Sequence, residues 1–440
     1  MSVHLPRIAA KLGADFADLT AEDLKGACVE RVAEDVQLDF KSENSYTTTK
    51  DGLDELAKDV TAMANAQGGL LVIGIAEDAN GNAANPQVVD LANGDDVINK
   101  MYQGLRSRVV PMHPAVEIRT VEDPGTPGSG YYLLGIPRSS LAPHAVRRST
   151  RPEYSYALRL GRTTAWLEET EIAARYRDRF RQAQEHVAHV RRVFDQGCAW
   201  LSGARAENSN LWLELAAVPA VPAERRVDNA FINQIAGFYG ELSRCAPLSE
   251  LARGFLGRQP LVLRGRLRIA HSLVFAEWHT DGSCFIRVGI TRGTQDSTPR
   301  LNFTMLELGV LGLLQFAISY ANWSGAYGDV DILARTAGPI AVRSDLSAPA
   351  NENFLDDFDT IVERSSDEPT HLTVPLHSVA EDPKQLLASA RSIAEDLVAD
   401  YGQSETTFFR PDGSLVWQRL GRDSREQLLT WMTQVGLSDQ

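Results

Sequence analysis

Glu34-Asp35-Val36-Gln37-Leu38-Asp39-Phe40-Lys41 opens the stretch that decides the fold, and Gln67-Gly68-Gly69-Leu70-Leu71-Val72-Ile73-Gly74-Ile75-Ala76-Glu77-Asp78 closes it. In the first segment Val36, Leu38 and Phe40 alternate with Gln37, Asp39 and Lys41. That is the period of a strand, whose successive side chains point to opposite faces. Asp39 and Lys41 therefore share a face, while Glu34 has the other parity and joins them only through a bend. Between the two segments Leu53, Leu56, Ala57, Val60, Met63 and Ala64 trace one stripe of a helix spanning Asp51 to Asn65. Gly68 and Gly69 stop it, because glycine accepts the positive φ of a helix C-cap. Leu70 to Ile75 is a nearly unbroken apolar run, the pattern of a strand covered on both faces.

Outward from this stretch, Thr20-Ala21-Glu22-Asp23 begins a helix that Thr20 caps, with Leu24, Cys28 and Val32 at helical spacing. After a turn-rich loop come a helix near Asp95–Arg108 and strands at Val116–Glu122, Tyr131–Ile136 and Ser155–Gly161. Thr164 reads as the cap of a long helix in which Ile172, Tyr176, Phe180, Ala183, Val187, Val190 and Phe194 recur every three or four residues. The second half alternates strands (Leu211–Leu215, Leu261–Leu267, Leu273–Trp278, Cys284–Ile290, Val330–Ala334) with a core helix at Met305–Asn322. Ser344–Thr370 is acidic and rich in Ser, Pro, Asn and Asp, a long loop or linker. A strand (His371–Leu376), a helix (Glu381–Ala399), a hairpin-like stretch and a last helix near Arg422–Val435 complete the chain.

A chain of 440 residues divides into two or three domains, and 43% hydrophobic residues suffice to build their cores. The net charge of −14 argues against non-specific coating of nucleic acid or membrane, and leaves room for a local basic groove. Cys28, Cys198, Cys245 and Cys284 lie far apart with no CxxC pair, which points to reduced thiols rather than a disulfide framework or zinc cluster. With no basic-then-apolar leader, the expected location is cytoplasmic. The apolar run Met305–Tyr320 is short for a bilayer and is interrupted by Glu307 and Gln315, so it reads as a buried helix and no membrane contact is expected.

Acidic groups beside a lysine are what metal-assisted phosphodiester cleavage uses: carboxylates hold a divalent cation, the cation polarises phosphate and activates water, and a lysine stabilises developing charge. Glu34, Asp39 and Lys41 supply such a set, but the spacing alone is better described by the solvated face of a half-exposed strand. Taken together, Glu34, Leu38-Asp39-Phe40-Lys41, Ala64-Asn65-Ala66-Gln67-Gly68-Gly69 and Leu71–Ile75 resemble the Schlafen AlbA-like domain, often described as a DNA-binding domain. Ile136-Pro137, Ser139-Ser140, Pro143-His144 and Tyr156-Ala157-Leu158-Arg159-Leu160-Gly161 extend the resemblance over about residues 20 to 175. In the nuclease branch of that family three carboxylates cut transfer or ribosomal RNA with a divalent metal. Carried over, the resemblance implies a Mg2+ or Mn2+ ion on Glu34, Asp39 and Asp78, with Lys41 and Glu77 completing the catalytic set. Ala76 stands where the family commonly has its third acid, so either Glu77 or Asp78 must turn inward. No Gly-x4-Gly-Lys-Ser/Thr loop supports a nucleotide site.

Arg138, Arg147, Arg148, Arg151, Arg159 and Arg162, interleaved with Tyr131, Tyr132, Tyr154 and Tyr156, form a candidate nucleic-acid surface, since arginine pairs with phosphate and tyrosine stacks on unpaired bases. The alternative is that these arginines offset the surrounding acid. Arg175, Arg177, Arg179 and Arg181 can pair along their helix with Glu168, Glu171 and Asp178, and His186 with His189 marks a solvated face.

The expectation is an α+β protein: an N-terminal arm (1–19), a Schlafen AlbA-like mixed sheet with flanking helices (20–165), a long connecting helix (166–198), a second α+β domain of no named family (199–343), an acidic linker (344–370) and a C-terminal segment (371–440) packed on the second domain. Its expected partner is nucleic acid, structured RNA ahead of DNA, with a homodimer or protein contact through the second half. The resemblance carries two functions: a metal-dependent endoribonuclease on tRNA-like substrates, in defence against foreign genetic elements, or a non-catalytic DNA-binding regulatory or sensor module.

Overall fold

The computed structural model describes residues 5–437 apart from 15, 43–45, 47–48, 113–115, 140, 148–152, 203–209, 224, 246–259, 272–273, 291–297, 346–358 and 418–419. The chain forms two compact units, residues 1–184 and 185–440, both mixing helices with sheets as an α+β fold does.

Unit 1 begins with α1 (Pro6–Leu12) and α2 (Ala21–Val29), the second held by a reciprocal capping box between Thr20 and Asp23. Its central sheet is built from β1 (Leu38–Lys41), β2 (Gly69–Ile73), β5 (Val89–Asp90), β7 (Glu117–Glu122) and β8 (Ser129–Ile136). β1 and β2 are parallel and joined through α3 (Lys50–Ala64), whereas β8 runs antiparallel to β2, β5 and β7. Alternation then divides the apolar residues between two cores. Leu38, Phe40, Leu70, Val72, Tyr131 and Leu133 pack against α1 and α2. Leu71, Ile73, Tyr132, Leu134 and Ile136 pack with α3 and α4 (Gly94–Arg108).

Two expected elements end early, each at a glycine. The apolar run through Ile75 stops at Ile73 because Gly74 takes φ +110°. Residues 75–77 become β3 (Ile75–Glu77), which leaves the central sheet and pairs with β4 (Ala83–Pro86). Likewise Gly161, at φ +60°, turns the chain from β11 (Ala157–Leu160) into β12 (Thr163–Trp166). Thr164 is thus a strand residue rather than a helix cap, and the long helix α5 starts at Glu169 and runs to Ser202. The remaining short strands are β6 (Val109–Val110), β9 (Ala145–Arg147) and β10 (Tyr154–Ser155).

Unit 2 is organised on a seven-stranded antiparallel sheet. It contains β13 (Trp212–Val221), β14 (Leu261–Leu263), β15 (Arg266–His271), β16 (Val274–His279), β17 (Cys284–Gly289), β19 (Tyr327–Ala337) and β22 (Thr370–Pro375), in the order β14-β15-β16-β17-β13-β19-β22. α6 (Asn229–Cys245), α7 (Phe303–Ser324), α8 (Leu376–Glu381), α9 (Pro383–Ala399) and α10 (Arg422–Gln434) contribute to its main core. α7 is long and apolar enough to cross a membrane, yet most of it is buried in the unit. A separate small sheet joins β18 (Arg300–Leu301), β20 (Ala341–Asp345) and β21 (Asp359–Glu363), the last falling in the stretch read from composition as linker.

Glu307, which interrupts the apolar run of α7, is fully buried for a reason the sequence does not display. Its carboxylate accepts the backbone N–H groups of Thr407 (2.7 Å), Phe408 (2.8 Å) and Phe409 (3.2 Å), and the Thr407 hydroxyl (2.9 Å). It thereby supplies an acceptor to three successive N–H groups at the start of the loop, whose later part closes on itself through Val416 N–H to the Phe408 carbonyl and Arg410 N–H to that of Ser414. On the other sheet face the residues of α5 from His186 onward dock through an apolar cluster, Val190, Val193 and Phe194 against Ala216, Val218, Phe285 and Leu333, with matched charges around it. His186 and His189, expected on a solvated face, meet Asp331 (2.7 Å) and Asp281 (3.1 Å). Glu214 is bound by Arg335 (2.9 Å), and Glu277 by Arg266 (3.0 Å), Arg268 and His279 (2.8 Å).

Two predictions follow from these buried acids. Glu307→Leu leaves three backbone N–H groups without an acceptor and lowers the stability of unit 2 by roughly 3 kcal/mol, read by urea denaturation. Burial alone would raise the Glu277 pKa, but hydrogen bonds from His279 and Arg268 overcome it and hold it at about 2, below its ordinary 4.5. Asp281 is also brought down to about 2, where His189 and the Ser283 N–H outweigh burial. A depressed acid stabilises fully above its unfolded pKa, and that contribution is lost as pH falls through the folded one. Unit 2 therefore loses stability between about pH 4.5 and 2, and Glu277→Gln flattens that slope in denaturation series.

Candidate functional site

The bend after α2 is set by Asp35, whose carboxylate accepts the N–H groups of Gln37 (2.8 Å) and Leu38 (3.0 Å) before β1 begins. This Asx turn carries Glu34 across to β1, where its Oε1 accepts the Phe40 N–H at 2.7 Å. Asp39, buried in β1, meets the Arg159 Nη2 at 2.8 Å and the Lys41 Nζ at 2.8 Å, and its charge acts on the neighbouring Glu34 carboxyl. Arg159 Nη2 also stands 3.9 Å from Glu34 Oε2, and the guanidinium donates to the Asp35 carbonyl.

Arg159 reaches this position because β11 is braced by Asn65 at the end of α3. The buried Asn65 amide donates to the carbonyls of His144 (2.9 Å) and Ala157 (2.8 Å) and accepts the His144 N–H (2.6 Å). Gly68 and Gly69 allow the following approach. A Cβ on Gly68 would lie 2.5 Å from the Ile136 carbonyl oxygen, and one on Gly69 2.2 Å from that of Gln37.

The electrostatics separate the two acids. Burial, reinforced by the neighbouring Asp39 charge, pushes Glu34 up to about 8, so it is protonated at neutral pH. Asp39 is lowered and stays ionised, because Lys41 and Arg159 together outweigh a burial that acts the other way. Asp59, on the stripe side of α3, belongs to the same neighbourhood: it accepts the Tyr46 hydroxyl and acts on both Asp39 and Lys41, and burial raises its pKa. Sequence reading passed over Asp59 and Tyr46. The available signal was an acid at position 59 within the apolar set Leu56, Val60 and Met63.

Glu34, Asp39 and Lys41 are therefore brought together, and Glu77 and Asp78 are not. Neither turns inward, because the chain leaves the β2 direction at Gly74. Glu77 is exposed on β3, and Asp78 Oδ1 accepts the N–H groups of Asn80 (2.8 Å) and Asn82 (3.0 Å) in its own loop. Arg159, expected on a nucleic-acid surface, is instead 4% exposed. Arg138, Arg147 and Arg162 are exposed, with Arg162 lying over Gly81; Arg148 and Arg151 fall outside the described residues. Tyr131 and Tyr132 are core residues and present no face for stacking, whereas Tyr154 is exposed.

A divalent cation does not fit this donor set as it stands. Glu34 Oε1 and both Asp39 oxygens are engaged by a backbone N–H, Arg159 and Lys41, and Asp78 is committed to its turn. Among the described residues no three His, Cys, Asp or Glu side chains converge on a metal position. The guanidinium supplies the positive charge that a cation would bring to two facing carboxyls.

Breaking this arrangement is expected to be costly in one place and tolerated in another. Arg159→Met leaves Asp39 and Glu34 facing each other without their buried cation and costs about 3–5 kcal/mol of unit 1 stability. Glu34→Gln keeps an acceptor for Phe40 and a donor for Asp39, and stays within about 1 kcal/mol of the parent. Thermal and chemical denaturation at pH 7 measure both.

Residues 34–167 match the family model described as Schlafen, AlbA_2. No curated protein matches. Among solved structures, the DIP2311 protein from Corynebacterium diphtheriae is similar at 17% identity and a TM-score of 0.23, over 34% of this chain and 31% of that one. The match thus spans about a third of that protein's length, a likeness too slight to bear on fold or function. The matched residues include Glu34, Asp39, Asn65 and Arg159, the groups that build the cluster, and this N-terminal portion of the chain is a Schlafen AlbA-like domain.

Proposed function

We propose that the domain at residues 34–167 is a nucleic-acid-binding module, favouring structured RNA over DNA, and that its carboxylate cluster braces the fold. One observation carries this reading. Residues 138–181 hold ten arginines against five acidic residues, in a chain whose net charge is −14. Arg147 and Arg162 are exposed and available to phosphates, and Arg159 is consumed by Asp39. A local patch of this kind is sufficient for salt-dependent binding to a polyanion. The family match supports the same reading at the level of the domain.

The finer reading is a Mg2+- or Mn2+-dependent endoribonuclease acting on tRNA-like substrates in defence against foreign genetic elements. It requires Arg159 to withdraw from Asp39 and Asp78 to leave its turn. A cytoplasmic location and a homodimer or protein contact through unit 2 belong to the same proposal.

Gel-shift and cleavage assays with transfer RNA and duplex DNA, in EDTA and in Mn2+, test these readings. Retained complexes in both conditions without cleavage are expected. Arg162→Ala weakens binding to both and reduces the log–log salt slope by about one. Cleavage in Mn2+ that disappears in Asp39→Asn would establish the endoribonuclease, and absence of binding to either nucleic acid would overturn the proposal.

A further inference from the structure

Unit 1 exposes an aromatic run that its cores do not use. Tyr154 is 54% and Phe180 63% exposed. Neither they nor Tyr156 and Tyr176 belong to the apolar cores of the unit among the described residues. Tyr154 and Tyr156 are alternate residues, so they project to the same side of an extended chain. The Tyr156 ring meets the Tyr176 ring edge-on at 6.2 Å, and their hydroxyls are 3.2 Å apart. Tyr176 in turn lies 6.4 Å from Phe180, one helical turn further along α5, with the ring planes only 29° apart. The hydroxyl pair fixes the middle of the run, and the two most open rings stand at its ends.

Arginines accompany it. Arg147 is the cross-strand partner of Tyr154 and is exposed. Arg177 and Arg181, exposed, neighbour Tyr176 and Phe180 in sequence, Arg181 being ion-paired to Asp178 at 3.0 Å. Open aromatic faces within an arginine-rich segment suit a chain that offers both π-faces and phosphates. Each base can stack whatever its identity, and the backbone follows the positive charge. A duplex offers no free base faces and gains only the arginine contacts.

We propose that Tyr154, Tyr156, Tyr176 and Phe180 form a stacking platform for the unpaired nucleotides of a bound strand. This rests on the nucleic-acid-binding reading and narrows it: the domain distinguishes single-stranded segments from duplex by stacking, on side chains other than those of the buried Glu34–Asp39 cluster. The platform is indifferent to the sugar, so unpaired RNA and unpaired DNA are both ligands of the same chemistry.

Fluorescence anisotropy of the full chain with labelled oligo(U), oligo(dT) and a duplex of equal length tests the proposal. Phe180→Ala and Tyr154→Ala are surface changes whose folding is checked by circular dichroism. Each is expected to weaken oligo(U) and oligo(dT) binding about tenfold and to leave duplex binding unchanged. Phe180→Trp is expected to retain binding and to show indole quenching when oligo(U) is added. Equal weakening of single strands and duplex, or no weakening of either, overturns the platform while leaving nucleic-acid binding intact. A wild-type chain that binds none of the three overturns the underlying reading instead. A change in sedimentation on Phe180→Ala with unaltered oligonucleotide binding would make the run a contact between copies, and would also overturn the platform.

Discussion

The ion pair between Arg159 and Asp39 is the interaction on which the N-terminal unit depends. Both groups are almost fully buried, at a point where β1 and β11 come together from distant parts of the sequence. Burying one charge there is prohibitive, and burying the pair with Lys41 and the Asp35 carbonyl as further partners is feasible. The cluster requires β11 in place, β11 requires Asn65, and Asn65 requires α3 to end where it does. Motif residues that look scattered in the sequence are thus parts of one hydrogen-bonded assembly.

The same logic organises unit 2. Glu214, Glu277 and Glu307 are buried acids, and each is matched by arginines, a histidine or backbone N–H groups. One face of the sheet carries an apolar core around α7, and the other receives α5 through a smaller apolar cluster, Val190, Val193 and Phe194 against Ala216, Val218, Phe285 and Leu333, flanked by ionic partners. Polar groups here select a single docking geometry more than they add to stability, because a misplaced helix would strand several charges at once.

Residue identity and placement also redistribute roles among the arginines and tyrosines. Arg159 serves the interior and Arg147 and Arg162 the surface; Tyr131 and Tyr132 fill the cores, and Tyr154 stays outside. These assignments separate what holds the domain together from what it can present to a polyanion.

Much of the fold was legible in the sequence: the alternation that becomes the strand Leu38–Lys41, with Val36 and Gln37 drawn instead into the Asp35 turn, the helical stripe from Leu53 to Ala64, the Gly68-Gly69 stop and the apolar helix of unit 2 are all local patterns. The grouping of Glu34 with Asp39 and Lys41 was legible too, given a bend that Asp35 supplies. What stayed hidden was non-local. Periodicity cannot follow a chain through a glycine at positive φ, so the turns at Gly74 and Gly161 displaced Asp78 and Thr164 from their expected places. Nor does a pattern of charges disclose its partners: that Arg159 lies against Asp39, that Asp59 faces the cluster and that Glu307 holds a loop 100 residues away are decided only when the chain closes on itself. The sequence determined which segments become strands and helices and which faces are apolar, because those depend on neighbours a few residues apart. The tertiary structure alone decided which charges neutralise each other, because burial makes every unpaired charge costly and only the closed fold determines who is near.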